Sequence, residues 1–170
     1  MSIKPRTKVP ALSLQTVGGG KFEVAQSTPR TFTLLVAYRG LHCPICKNYL
    51  RELDRKLGEF QALGVTAVAA STDTQERAEQ SKTEWAIEHL QIAYGLGIEP
   101  ARTWGLSISA GIKDGEPPLF AEPGLFLIRP DQTLYAASIQ TMPFARPSFS
   151  DVLAAVKFVT DKDYPARGEA

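Results

Sequence analysis

The chain has 170 residues, 44% hydrophobic and 22% charged, with 19 basic against 18 acidic side chains and a formal net charge of +1. That length and composition suit a single globular domain, expected over residues 1–164, with a disordered tail at 165–170. Near-neutral charge excludes a protein that holds nucleic acid or a membrane surface by charge, and two cysteines exclude a disulfide-stapled secreted scaffold.

The amino-terminal run Met1-Ser2-Ile3-Lys4-Pro5-Arg6 has no apolar core behind its charges, so no secretory signal is expected. No apolar stretch is long enough to cross a bilayer, and the expected address is the cytoplasm. Residues 12–17 and 21–25 flank Gly18-Gly19-Gly20 and predict a hairpin closed by a glycine turn. Residues 31–38 are apolar at nearly every position, the pattern of a central strand covered on both faces.

From Cys46 onward, Tyr49, Leu50, Leu53, Leu57 and Phe60 recur on one helical face, with Lys47, Arg51, Glu52, Arg55 and Glu59 between them. Gly64 ends this helix, and residues 65–70 predict the next strand. Asp73-Thr74-Gln75-Glu76 has the form of a capping box with Asp73 as N-cap, opening a helix towards Trp85. Residues 91–118 are rich in glycine and proline and predict one short helix near residues 100–104. Residues 124–128 and 133–139 predict a second hairpin, and Ser148 with Asp151 opens a last helix through Phe149, Val152, Leu153, Val156 and Val159. This order is that of an α/β fold, a central mixed β-sheet flanked by helices, with an amino-terminal β-hairpin extension.

Cys43 and Cys46 sit in Arg39-Gly40-Leu41-His42-Cys43-Pro44-Ile45-Cys46, where the central strand passes into the helix. A C-x-x-C at that junction reads as a dithiol/disulfide redox pair. Cys43 stands at the helix start, where unpaired amides and the helix dipole favour a thiolate, and Cys46 one turn on is within disulfide reach. Cys43 is then the nucleophile and Cys46 the resolving thiol, with a disulfide or a peroxide as the oxidant. His42 stabilises the thiolate or moves a proton, or is a plain loop residue. Arg39 lowers the thiol pKa or orients a peroxide, or makes a surface ion pair. The competing reading is a redox-sensing or zinc-binding module, the metal held by both cysteines with His42 and His89. Trp85, Trp104 and Phe126 are expected in the core, and Met142-Pro143-Phe144 is a candidate apolar surface.

The strand, the Tyr38-Arg39-Gly40-x-x-Cys43-Pro44-x-Cys46 loop and the helix resemble the thioredoxin superfamily. Within it the peroxiredoxin-like redoxin branch, the alkyl hydroperoxide reductase C/thiol-specific antioxidant family, fits over roughly residues 9–160. The resemblance implies a thioredoxin-like fold and a thiol-dependent oxidoreductase without a cofactor. Such a protein reduces peroxides or disulfides, is recharged by a thioredoxin- or glutathione-type reductant, and is a monomer or homodimer. It also implies that Pro123, ahead of the Gly124 strand, is cis beside the dithiol, and that the Glu122 backbone pairs with an extended substrate. Two departures stand out. The Pro-x-x-x-Thr-x-x pattern that precedes a peroxidatic cysteine falls on Val36 and Gly40 when laid on Cys43, and on Arg39 and Cys43 when laid on Cys46. The family's arginine falls on Pro123.

Overall fold

The structure, a computed structural model, describes residues 3–170. Met1 and Ser2, the start of the run read for a signal, lie outside the described residues. In chain order the elements begin with a hairpin of β1 (Ser13–Thr16) and β2 (Lys21–Glu23), with Gly18 and Gly19 at φ 97° and 89° in its turn. The predicted second arm ends early, because residues 24–26 close into a 3-10 turn. Next come β3 (Phe32–Ala37), α1 (Pro44–Ala62), β4 (Val65–Ala70), α2 (Gln75–Glu84), β5 (Gln91–Tyr94) and α3 (Ile98–Thr103). A small separate hairpin of β6 (Ile108–Ala110) and β7 (Leu119–Ala121) follows, then β8 (Gly124–Ile128), β9 (Leu134–Ile139) and α4 (Phe149–Lys162).

The main sheet has the order β2-β1-β5-β4-β3-β8-β9. Strands β3, β4 and β5 run parallel, whereas β1, β8 and β9 join antiparallel, so the sheet is mixed as expected. All six residues of β3 are buried, which is why its sequence does not alternate. Phe32, Leu34, Val36 and Tyr38 face a core shared with Leu50, Leu53 and Phe60 of α1 and Phe149, Val152 and Val156 of α4. Leu35 and Ala37 face a second core that holds Trp104, Phe126 and Ile128. Trp85, Trp104 and Phe126 are 4, 2 and 1% exposed, in the core as expected.

Three expectations need correction. Thr74, not Asp73, caps α2: its hydroxyl accepts the Arg77 amide, while Asp73 turns inward and is buried. The short helix expected near residues 100–104 is present as α3, but residues 91–118 also carry β5 and the first arm of the β6–β7 hairpin; β5 is four residues long, too short for a periodic signal. Residues 165–170, expected to be disordered, lie against the body. Ala166 is 4% exposed and its carbonyl accepts Arg6 Nε at 3.0 Å. Among the described residues no helix is long and apolar enough to cross a membrane.

Candidate active site

The carboxyl end of β3 delivers residues 38–43 to the edge where α1 begins. Gly40 makes the turn possible: its φ of 129° suits glycine, and its carbonyl accepts the Cys43 amide at 3.1 Å. Cys43 is the N-cap of α1, one position earlier than a place within the first turn, and Pro44 fills N1, where no amide is needed. The Cys43 Sγ does the work a serine or aspartate oxygen usually does, accepting the Cys46 amide at 3.2 Å. Cys43 and Cys46 are free thiols, 1 and 0% exposed.

Arg146 completes this centre. It comes from the segment between β9 and α4, and its Nη2 lies 3.2 Å from Cys46 Sγ and 3.7 Å from Cys43 Sγ. Its guanidinium lies 5.2 Å from the centre of the Tyr49 ring, and its Nε donates to Pro143 O at 3.1 Å. The Tyr49 hydroxyl donates to Pro147 O at 2.6 Å and so pins the arginine's segment to α1. Among the described residues Arg146 forms no salt bridge, and its Nη1 is buried without a partner. A narrow cleft beside it is lined by Ala37, Tyr49, Pro123, Leu125, Gln140 and Arg146.

These neighbours split the two thiols. The Cys43 thiol is held well below the ordinary range, first by the hydrogen bond from Cys46 and then by the Cys46 amide and the Arg146 charge, which outweigh burial. Burial, followed by the neighbouring Cys43, pushes Cys46 up. Cys43 is thus the more acidic thiol of the pair and Cys46 the less acidic, an asymmetry that suits attack by one sulfur and resolution by the other.

The other residues singled out by sequence stand around this centre with different partners. Arg39 turns away to Glu122, with Nε 3.2 Å from Oε2, and its guanidinium covers the Phe120 ring at 4.9 Å. This is a buried ion pair rather than a surface one; Ser109 Oγ donates to the other carboxylate oxygen of Glu122 at 2.6 Å. The Glu122 amide is already given to Ser107 O at 2.8 Å, so it is closed to a substrate strand. Pro123 lines the cleft, but its bond is trans, since the described residues contain no cis peptide.

His42 sets its ring edge-on to Phe120 at 4.6 Å, and both its nitrogens are buried without partners among the described residues. Burial, then the Arg39 charge, lowers its pKa, so it is a neutral imidazole at neutral pH. His89 precedes β5, at the amino edge of the parallel strands and therefore opposite the thiols, with its side chain 72% exposed. Among the described residues no three of His, Cys, Asp and Glu cluster as metal ligands.

Sequence reasoning passed over Arg146, Tyr49 and Asp73 as site residues. The one signal for Arg146 is a cation in a proline-bounded segment, Pro143-Phe144-Ala145-Arg146-Pro147, just ahead of a helix cap.

A free dithiol at the opening of a helix, on the carboxyl edge of this mixed sheet, defines a thiol-dependent oxidoreductase with a thioredoxin-like fold. The AhpC/TSA family model matches residues 5–137, and the chain belongs to that family. The match stops ahead of Arg146. Among solved structures the chain is similar to a reduced 2-Cys peroxiredoxin of Plasmodium vivax, at TM-score 0.77 and 13% identity, covering 96% of this chain and 99% of that one. It is similar also to reduced Prx3 of Vibrio vulnificus in complex with H2O2, at 0.76 and 15%, covering 91 and 99%. A third is the peroxidoxin BcpB of Mycobacterium tuberculosis, at 0.74 and 15%, covering 92 and 98%. No curated protein matches the chain in sequence.

Proposed function

We propose that this protein is a peroxidase in which Cys43 attacks a small peroxide and Cys46 resolves the product within one helical turn. The Cys43 thiolate takes the terminal oxygen, forming an S–O bond as the O–O bond breaks. The remaining fragment leaves as alcohol or water once protonated. The Cys46 sulfur then attacks the sulfenic sulfur of Cys43, forming the disulfide and releasing water. Two electrons have passed from the dithiol to the peroxide, and a thioredoxin-type dithiol or two glutathione-type monothiols return them.

The observation that carries this reading is the single guanidinium nitrogen shared by both sulfurs. It stands in for the family arginine replaced by Pro123, and its free Nη1 is a donor for a peroxide oxygen. The burial of both thiols favours a small oxidant over a protein disulfide, which needs an exposed sulfur. A similar fold is solved with H2O2 bound. A pair that a thiol reductant must recharge suits a reducing compartment, in our reading the cytoplasm.

The test is Cys46→Ser with stoichiometric H2O2. The expected product is a stable sulfenic acid on Cys43, captured by a dimedone-type probe. Peroxide that survives while Cys43 stays a thiol refutes the assignment, and a trapped mixed disulfide with a protein in its place redirects it to thiol–disulfide exchange.

A further inference from the structure

Gly40 stands three residues before Cys43, and a methyl group built on it would lie 2.7 Å from Asp73 Oδ1 and 3.0 Å from Oδ2. The Asp73 carboxylate thus fills the space a side chain at residue 40 would need. It is buried, 1% exposed, and arrives from the loop between β4 and α2. One oxygen accepts the Leu41 amide at 2.8 Å, and the other accepts Arg77 Nε at 3.1 Å. Arg77 in turn reaches Gly115 O at 3.0 Å, on the loop between β6 and β7 whose second strand carries Phe120 beneath His42. The Asp73 backbone is fixed as well: its amide donates to Ser71 Oγ and its carbonyl accepts the Gly95 amide.

We propose that Asp73 is a positioning residue for Cys43, holding the Gly40–Leu41 turn whose carbonyl receives the Cys43 amide. Asp73 fixes the Leu41 amide, so it fixes the plane of the Gly40 carbonyl, which belongs to the same planar peptide unit. That carbonyl fixes the Cys43 amide, and with it the extended backbone, φ −108° and ψ 103°, that points Sγ at the Cys46 amide. Without the carboxylate, the glycine turn has many conformers and Cys43 loses its place as N-cap. The inference rests on Cys43 being the reactive thiol and does not depend on which oxidant it meets.

The charged and titratable groups that face Cys43 are Cys46 on its own helix and Arg146 on the segment ahead of α4. Arg77, His42 and Tyr38 are those around Asp73. A purely electrostatic role and a positioning role therefore predict opposite results. A carboxylate acting by charge disfavours a thiolate, so its removal would make Cys43 more acidic. A carboxylate acting by geometry favours the thiolate through Cys46 and the helix start, so its removal makes Cys43 less acidic.

The experiment is the pH profile of Cys43 alkylation by iodoacetamide in the wild type, Asp73→Ala and Asp73→Asn, with circular dichroism as the check on folding. Asp73→Ala is expected to move the midpoint up by about one unit, a tenfold loss of alkylation rate at pH values below it. Asp73→Asn keeps an acceptor for the Leu41 amide and is expected to restore the wild-type midpoint. A midpoint lowered in either variant, or unchanged in a folded Asp73→Ala, overturns the proposal. If Asp73→Ala does not fold, Asp73→Asn decides alone: an unchanged midpoint is the result positioning requires, and a shift in either direction overturns it. Sulfenic acid formation in Cys46→Ser is independent of this readout, so loss of peroxide chemistry is told apart from loss of positioning.

Discussion

The Cys46 amide donates to Cys43 Sγ at 3.2 Å, so the backbone of one cysteine steadies the sulfur of the other before any disulfide exists. The sulfur that caps this helix is also the one proposed to attack the oxidant. Anything that disturbs the cap changes reactivity, and anything that oxidises the sulfur changes the cap.

Arg146→Ala removes the cation that touches both sulfurs. A charge-assisted hydrogen bond is worth about 1.5–3 kcal/mol, and partial exposure reduces that to roughly one pKa unit for Cys43. The alkylation midpoint should rise accordingly, with Arg146→Lys recovering part of the shift because an ammonium keeps the charge but lacks the fork that lets Nε hold Pro143 O while Nη2 meets the sulfurs.

Arg39→Ala should act differently. Its guanidinium is spent on Glu122 and Phe120, so the Cys43 alkylation profile is expected to stay in place. The variant should instead unfold more easily, by about 2–4 kcal/mol in urea titrations, because Glu122 is left buried with its charge unpaired.

The reduced protein should grow more stable as pH rises towards about 8.5, the value of an unperturbed thiol. Cys43 has a depressed pKa in the fold, so its contribution is complete above the unfolded value and is lost as pH falls through the folded one. Above about 8.5 the sign reverses: Cys46 is raised in the fold, and its contribution is lost as pH climbs towards its folded value. Chemical denaturation of wild type and Cys43→Ser across this range checks both limbs; the acid-side slope should flatten in the variant between about 6.5 and 8.5, leaving below that the part contributed by the depressed His42.

Tyr49→Phe keeps the stack on Phe149, at 4.2 Å between ring centres, and the ring beneath Arg146. It deletes the hydroxyl that donates to Pro147 O, so a loss of about 1 kcal/mol is expected in urea titrations. Tyr49→Ala removes the ring itself and should cost about 3–5 kcal/mol.

Much of this architecture was legible because its signals are local. The stripe through Leu50, Leu53, Leu57 and Phe60, the unbroken apolar run of β3, the Ser148 cap and the C-x-x-C at a strand–helix junction all lie within a few turns of chain. Arg146 was not legible, since 103 residues separate it from Cys43 and only the folded sheet brings them together. Arg39 misled for the converse reason: nearness in sequence suggested the thiols, while the end of β3 sends its side chain to Glu122. Asp73 and Thr74 are both good caps, and burial beside Gly40 claimed the aspartate, leaving the threonine to cap α2. The tail had a single buried apolar residue, Ala166, too weak a mark to read in advance.

The most direct measurement is mass spectrometry of the reduced wild-type protein after one equivalent of H2O2. The account requires a monomer lighter by two hydrogens, with one peptide pair joining Cys43 to Cys46 and the peroxide consumed. Two free thiols beside intact peroxide, or a bond between chains in place of that ring, would contradict it.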